Sequence, residues 1–414
     1  MRFTKGCSDM RSPTFLLYGI SGVHNFGCEA IVRGTELILR EIWPDSAIKY
    51  ASARPEYDSR KLVDTALQIV PRQRYSRYSV RNICRKAAAM AGSSWTPIME
   101  NLEIFDDNDV VLSVGGDLYT MRPRGAYPAE LVKIGEYVLA RGIVFVLWGA
   151  SVGPFNTQVA DVFASHLKRA DLITSREVAS TAYLASLGVC DRVVSCADPA
   201  YLVNPQGRLA PGLGKPLRIG INLSPLSSRV IKGKSSEAII AEQSQAIAGL
   251  VRRFGAEIVL IPHVIDALND RDDDLGYLRK VQAGLPRDVA GMVAIFAEDE
   301  GFLGAKTEIR KCHLMVAARM HCAINAIASG VPTILLAYSQ KAVGMAEYVY
   351  GDRRWVLPIE EFGSPVLGKQ VQAMLDEIGA VAALVQERLP LIRGDAKRAG
   401  FALAELLAVT GKRA

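Results

Sequence analysis

The chain has 414 residues, half of them hydrophobic and 7% aromatic, with a formal net charge of +6. That length exceeds what one core usually covers, so two domains are expected, and no apolar run reaches the roughly 20 residues that span a bilayer. The opening MRFTKGCSDMRSP lacks a signal peptide's apolar middle, and the seven cysteines (7, 28, 84, 190, 196, 312 and 322) are odd in number and never form CxxC, which predicts a cytoplasmic protein without a disulfide framework.

Phe15 to Ile20 reads as a buried strand, and the loop Gly19 to Gly27 leads into a helix from about Glu29. Glycines at a helix entry let backbone N–H groups approach an anion, so Asn25, Gly27 and Glu29 are candidate cleft contacts. A tight βα turn is the plainer reading of the same residues. Ile48 to Ala51 is a second strand, and Asp58 to Pro97 reads as polar and helical.

No acidic residue lies between Asp64 and Glu100, while Arg72, Arg74, Arg77, Arg81, Arg85 and Lys86 carry as much positive charge as the whole chain has in excess. Steps of three and four would place Arg74, Arg77, Arg81 and Arg85 on one helical face, with Tyr75, Tyr78 and Val80 interleaved. Two readings remain: a solvated charged face, or a surface for an anionic membrane or a diphosphate-linked lipid. No nucleic-acid-binding motif accompanies the patch, so nucleic acid is not expected.

Asp109 to Val114 is a strand ending in Gly115-Gly116-Asp117, and Ile143 to Trp148 is another, ending in a loop with Ser151 and Gly153. Small residues after successive strands suit one shared cleft. A short strand, Leu172 to Thr174, is followed by Ser175-Arg176-Glu177 at the start of a helix. Ser175 can cap that helix, but a cation at the same place opposes the dipole, so Arg176 calls for an anionic partner.

NPQGRLAPGLGKP, rich in Pro and Gly, is the linker candidate. A second series follows: strand Arg218 to Leu223, helix Ser236 to Phe254, strand Glu257 to Pro262, helix Asp273 to Ala283, and strand Val293 to Phe296. The unit from Cys312 to Met345 is the richest in chemistry. His313 to Ala318 and Thr333 to Tyr338 read as parallel strands joined by a helix stopped at Gly330 and Pro332. Arg319 and His321 stand where the first strand passes into that helix, with Lys341 just past the second strand. A helix start at a sheet's carboxyl edge suits an anion, Arg can grip it bidentately, and His carries a proton near neutral pH. Spacing alone does not separate this from a carbonyl-capping arginine beside a satisfied histidine.

The pattern predicts an α/β protein of two doubly wound, Rossmann-like domains facing across a cleft. Residues 1–205 form the first domain, 206–216 the linker and 217–365 the second domain, with helices over 366–414 returning to brace the first. With five histidines and no HExxH, no metal centre is expected.

Six segments in register, NFGCEAI, SVGGDLY, GASVGPF, TSREVASTAYLASLGV, ADPAYL and RMHCAINAIASGVPTILLAYSQK, resemble the polysaccharide pyruvyl transferase family. The resemblance implies a GT-B-like fold and transfer of a pyruvyl group from phosphoenolpyruvate to a saccharide as a ketal, with no cofactor beyond that donor. It places Arg319 and His321 at the family's Arg-x-His donor site and matches Arg176 to a donor-side arginine. Lys341 joins them as a fourth donor contact, and Gly115, Gly116, Asp117, Ser151 and Gly153 fall to the acceptor side with Asn25, Gly27 and Glu29. His321 is the candidate acid, and Asp117 or Glu29 the candidate base. Two departures stand out: Met320 replaces a commoner leucine, and Cys28 stands where many members have aspartate. The acceptor expected is a saccharide, free or lipid-diphosphate-linked, met at the inner face of the plasma membrane. The rival readings are a nucleotide-sugar-dependent GT-B glycosyltransferase and a non-catalytic glycan-binding protein.

Overall fold

The structure is a computed structural model and describes residues 12–76, 78–90, 98–121, 128–203, 209, 216–297, 299–363 and 365–410. Among them, residues up to Gly22, from Ile31 to Pro199 and from Asp395 onward form one compact unit, and Val23–Ala30 with Ala200–Gly394 form a second. Apart from Leu209 and Pro216, the predicted linker lies outside the described residues, as does Arg77.

The first unit holds a parallel seven-stranded sheet of β1 (Thr14–Tyr18), β2 (Ala47–Ser52), β3 (Gln68–Pro71), β4 (Val110–Val114), β5 (Val144–Trp148), β6 (Leu172–Ser175) and β7 (Val193–Ser195). Their order is β3-β2-β1-β4-β5-β6-β7. The central strands VVLSV and VFVLW are buried at every position, because helices cover both faces of a parallel sheet and leave no polar side. The core packs Leu16, Phe105, Val111, Phe145 and Phe163 together. The second unit's sheet is also parallel, with β8 (Arg218–Asn222), β9 (Glu257–Leu260), β10 (Val293–Ile295), β11 (Leu314–Ala317), β12 (Thr333–Ala337) and β13 (Val356–Pro358). They run in the order β10-β9-β8-β11-β12-β13. Each sheet therefore reverses direction of growth once, between β1 and β4 and between β8 and β11, and such switch points are where open α/β sheets bind ligands.

Several expectations need correction. The stretch from Asp58 to Pro97 is not uniformly helical: β3 pairs with β2 inside it, and the basic helix begins only at Val80. Arg74 lies before that helix, in a bridge with Glu100, so it cannot share a helical face with Arg81. The helix after β6 starts at Val178 with Glu177 as its cap residue, while Ser175 belongs to the strand. The C-terminal helices are two, Pro365–Asp376 and Ile378–Thr410.

Candidate active site

In the second unit the site is assembled at the carboxyl edge of the sheet, around the β8/β11 switch point. Asn222, the last residue of β8, donates from Nδ2 to the Ile261 carbonyl at 2.9 Å. Its Oδ1 accepts the Arg319 backbone N–H at 2.8 Å. One amide side chain thereby ties the ends of three strands' loops together. Arg319 is the cap residue of the helix Met320–Ala328, and His321 is that helix's second residue.

The Arg319 guanidinium is held by two aspartates from the segment after β9. Nε lies 3.1 and 3.2 Å from the Asp274 carboxylate oxygens, and Nη2 donates to Asp274 at 2.7 Å and to Asp272 at 2.6 Å. Asp274 is fully buried, and its Oδ2 also accepts the backbone N–H groups of His263 and Val264, at 3.0 and 3.2 Å. Burial alone would lower the arginine's affinity for its proton, but Asp274 and Asp272 outweigh it and the guanidinium stays charged.

The glycine-rich segment near the amino terminus packs into this same unit. Asn25 bridges antiparallel to Val264, the Phe26 N–H donates to the His263 carbonyl at 2.9 Å, and the Gly27 N–H donates to the Asn25 side chain at 3.0 Å. Gly27 lies directly against His321: a Cβ built on it would stand 2.4 Å from the imidazole Nδ1. Glu29 is buried and accepts the Phe302 N–H at 2.8 Å, so it caps the start of the helix Gly301–Ile309. That placement is a structural one and does not suit the role of acceptor base. Lys341, half-buried, is the second residue of the helix Gln340–Tyr350 after β12.

His263 is a residue that the sequence reading passed over. It is 1% exposed, neither ring nitrogen makes a hydrogen bond, and the ring stands edge-on to Phe26 and Phe302 with centroids 5.6 and 6.1 Å away. Burial first, then the charges of His321 and Arg319, push its pKa down to about 3, so this imidazole is neutral at physiological pH. Its only sequence signal is a histidine at a strand's carboxyl end, in IPHV.

The first unit gathers its own polar loops after β4, β5 and β6. The Ser151 N–H donates to the Gly116 carbonyl and the Gly153 N–H to the Tyr119 carbonyl, both at 2.8 Å. The Ser151 hydroxyl donates to Glu177 at 2.7 Å. Arg176 is buried against Gly116, where a Cβ would come within 2.7 Å of its Nη2. It is ion-paired with Asp198, and Glu177 lies at 4.0 Å. The anionic partner that Arg176 requires is thus supplied by the chain itself. Burial works against the guanidinium charge, and Asp198, Glu177 and Asp117 together more than restore it. Gly115, Gly116, Asp117, Ser151, Gly153 and Arg176 therefore form one cluster, and Asn25, Gly27, Glu29, Arg319 and His321 another.

Two parallel-sheet, Rossmann-like domains with polar residues gathered at each sheet's carboxyl edge define the GT-B class, and solved structures agree. A putative UDP-N-acetylglucosamine 2-epimerase from Listeria monocytogenes matches with TM-score 0.60 at 14% identity, covering 97% of both chains. Anabaena Alr3699/HepE, solved with UDP and glucose, matches with TM-score 0.58 at 11% identity, over 96% of this chain and 100% of that one. At such identities these likenesses show the fold. The family follows from sequence: the polysaccharide pyruvyl transferase model matches residues 25–340, and the chain belongs to that family. It is also 24% identical over 312 residues to the amylovoran biosynthesis protein AmsJ of Erwinia amylovora, covering 70% of this chain and 68% of that protein.

Proposed function

We propose that this protein moves the pyruvyl group of phosphoenolpyruvate onto a saccharide of a cell-surface polysaccharide, or onto its lipid-diphosphate-linked precursor at the inner membrane face, forming a pyruvate ketal. Family membership and the AmsJ likeness support pyruvyl transfer in polysaccharide synthesis. The observation that carries the finer reading is the placement of Arg319 and His321 at the start of a helix, at the β8/β11 switch point.

Nε and Nη2 of Arg319 are occupied by aspartates. Contact with a donor anion therefore falls to Nη1, to the N–H groups of the helix's first turn, which have no intrahelical acceptor, and to Lys341. His321 delivers a proton to the methylene carbon of phosphoenolpyruvate while a sugar hydroxyl attacks the adjacent carbon and passes its proton to a general base. Phosphate then leaves that carbon, a second hydroxyl takes its place, and the hydroxyl's proton passes to the departing phosphate as the ketal closes. His263, held neutral by its surroundings, is a poor proton donor in this setting, which leaves His321 as the acid.

The test is phosphate release from phosphoenolpyruvate that depends on an added saccharide, with the product's mass read in parallel. His321→Gln should fold and lose about 10²–10⁴ in turnover, the usual contribution of a placed general acid. Undiminished turnover removes His321 from the role. Calorimetric binding of sugar nucleotides in preference to phosphoenolpyruvate overturns the donor assignment.

A further inference from the structure

The helix Val80–Met90 presents an apolar stripe to solvent. Val80 is 75% exposed, Ile83 58% and Met90 90%, and Ala87 between them is exposed as well. Steps of three, four and three residues place these four side chains on one face. Asn82, the buried one among the helix's described side chains, lies off that face. Just ahead of the helix, Tyr78 is 73% exposed and Tyr75 39%. The helix carries Arg81, Arg85 and Lys86 and no acidic residue, inside the acid-free stretch that runs from Asp64 to Glu100.

Two of the basic residues upstream are already spoken for. Arg72 and Arg74 donate to Glu100 at 2.5 and 2.6 Å, and Arg74 also to Glu130 at 3.0 Å. An array of four arginines on one face is therefore not what this region offers. An exposed hydrophobic stripe beside cations, on a helix whose other residues are mostly polar or small, is the composition of a helix that lies in a bilayer interface.

We propose that the helix Val80–Met90 docks the protein on an anionic phospholipid surface by burying Val80, Ile83 and Met90 among the headgroups and upper acyl chains, with its cations meeting lipid phosphates and the two tyrosines at headgroup level. Charge complementarity selects this occupant: a bilayer rich in anionic lipid satisfies the apolar stripe together with exposed Arg81 and Lys86, in a stretch that carries no acidic residue between Asp64 and Glu100. The inference rests on the pyruvyl-transfer reading only for the idea that the acceptor is membrane-borne; lipid binding itself is measured without catalysis, so either can fail alone.

The experiment is co-sedimentation of the full chain with phosphatidylglycerol and phosphatidylcholine vesicles. Wild type should bind the anionic vesicles, with affinity falling as salt screens exposed charge. Ile83→Asp should weaken binding by about tenfold or more, since an apolar contact is replaced by a repelled charge. The milder Ile83→Gln, with the helix content of each variant checked by circular dichroism, guards against a folding defect. Lys86→Gln should weaken binding several-fold, mainly at low salt. Both Ile83 variants should keep wild-type turnover on a water-soluble saccharide. Equal binding to neutral vesicles, wild-type affinity in folded Ile83→Asp, or a stripe-dependent dimer that ignores vesicles would each overturn the proposal.

Discussion

Gly27→Ala separates the local preference of the chain from the needs of the site. Gly27 is the second residue of the helix Phe26–Ile42, where alanine is intrinsically better than glycine by up to about 1 kcal/mol. The added Cβ, however, would stand 2.4, 2.5 and 2.8 Å from Nδ1, Cγ and Cβ of His321, against an ordinary contact of 3.4 Å or more. Because the His321 Cβ is among the atoms struck, a swing of the ring does not relieve the clash, and His321 or the 25–27 segment must retreat by about 1 Å. Misplacing a reacting group by that distance costs on the order of 10²-fold. The overpacking itself costs about 1–3 kcal/mol, partly offset by the helix preference, so the protein should remain folded. The assay is acceptor-dependent phosphate release, with kcat expected to fall about 100-fold and KM for phosphoenolpyruvate to change much less. Gly344→Ala, three residues past Lys341 and facing open space, is the control and should be near wild type. A folded Gly27→Ala protein with wild-type turnover refutes the claim that this glycine sets the imidazole's position.

Asp274→Asn keeps the shape but places an amide where every neighbour donates: the Arg319 guanidinium and the His263 and Val264 N–H groups. Breaking a buried pair costs about 3–5 kcal/mol, and the surviving Asp272 contact puts the expected loss near the lower end; urea unfolding measures it, and a loss below about 1 kcal/mol contradicts the pairing. His263 has a folded pKa of about 3 against an unfolded value near 6.5, so the unfolded chain gains a proton first and stability falls as pH drops from 6.5 toward 3. Between pH 7 and pH 5 that amounts to roughly 2 kcal/mol. His263→Leu should lose this component while His166, whose pKa burial lowers to about 4, keeps its own; identical pH slopes in the two proteins would falsify the assignment.

Strands buried on both faces were legible because no charged residue interrupts their apolar runs, as in VVLSV and VFVLW. The unit from β11 to β12 was legible for the same reason, together with the glycine and proline that stop its helix. The strands β3, β7 and β13 were not: each has three or four residues, mostly half-buried or exposed, too few for a period to show. Side-chain partnerships were hidden by sequence distance. Arg319 meets aspartates 45 and 47 residues away, and Glu29 meets Phe302 across 273 residues. Such pairs exist only because parallel strands bring their carboxyl ends to one edge, and strand order has to be known before loop neighbours can be. Arg176 shows the limit most clearly. Its need for an anion followed from the sequence, but Asp198 became the answer only when the loop after β7 was placed beside β6.

The aspartates change what the two arginines do. At Arg319, two carboxylates surround one guanidinium, so the cluster's formal charge is negative by one and its surroundings are not strongly attractive to an anion. The same two carboxylates fix the guanidinium's plane through Nε and Nη2, and Asn222 fixes its backbone. Arg319 is therefore better suited to presenting one nitrogen in a fixed direction than to supplying bulk positive potential. An anion carrying both a carboxylate and a phosphate must draw that potential from elsewhere along the edge, and the first turn of the helix Met320–Ala328 and Lys341 are what β11 and β12 deliver there. Fixed direction with modest charge also has a catalytic advantage. A site that bound an anion through an unpaired arginine would hold it tightly in every state, whereas one whose arginine is already paired gains less from the ground-state anion and leaves more of its stabilisation for a transition state.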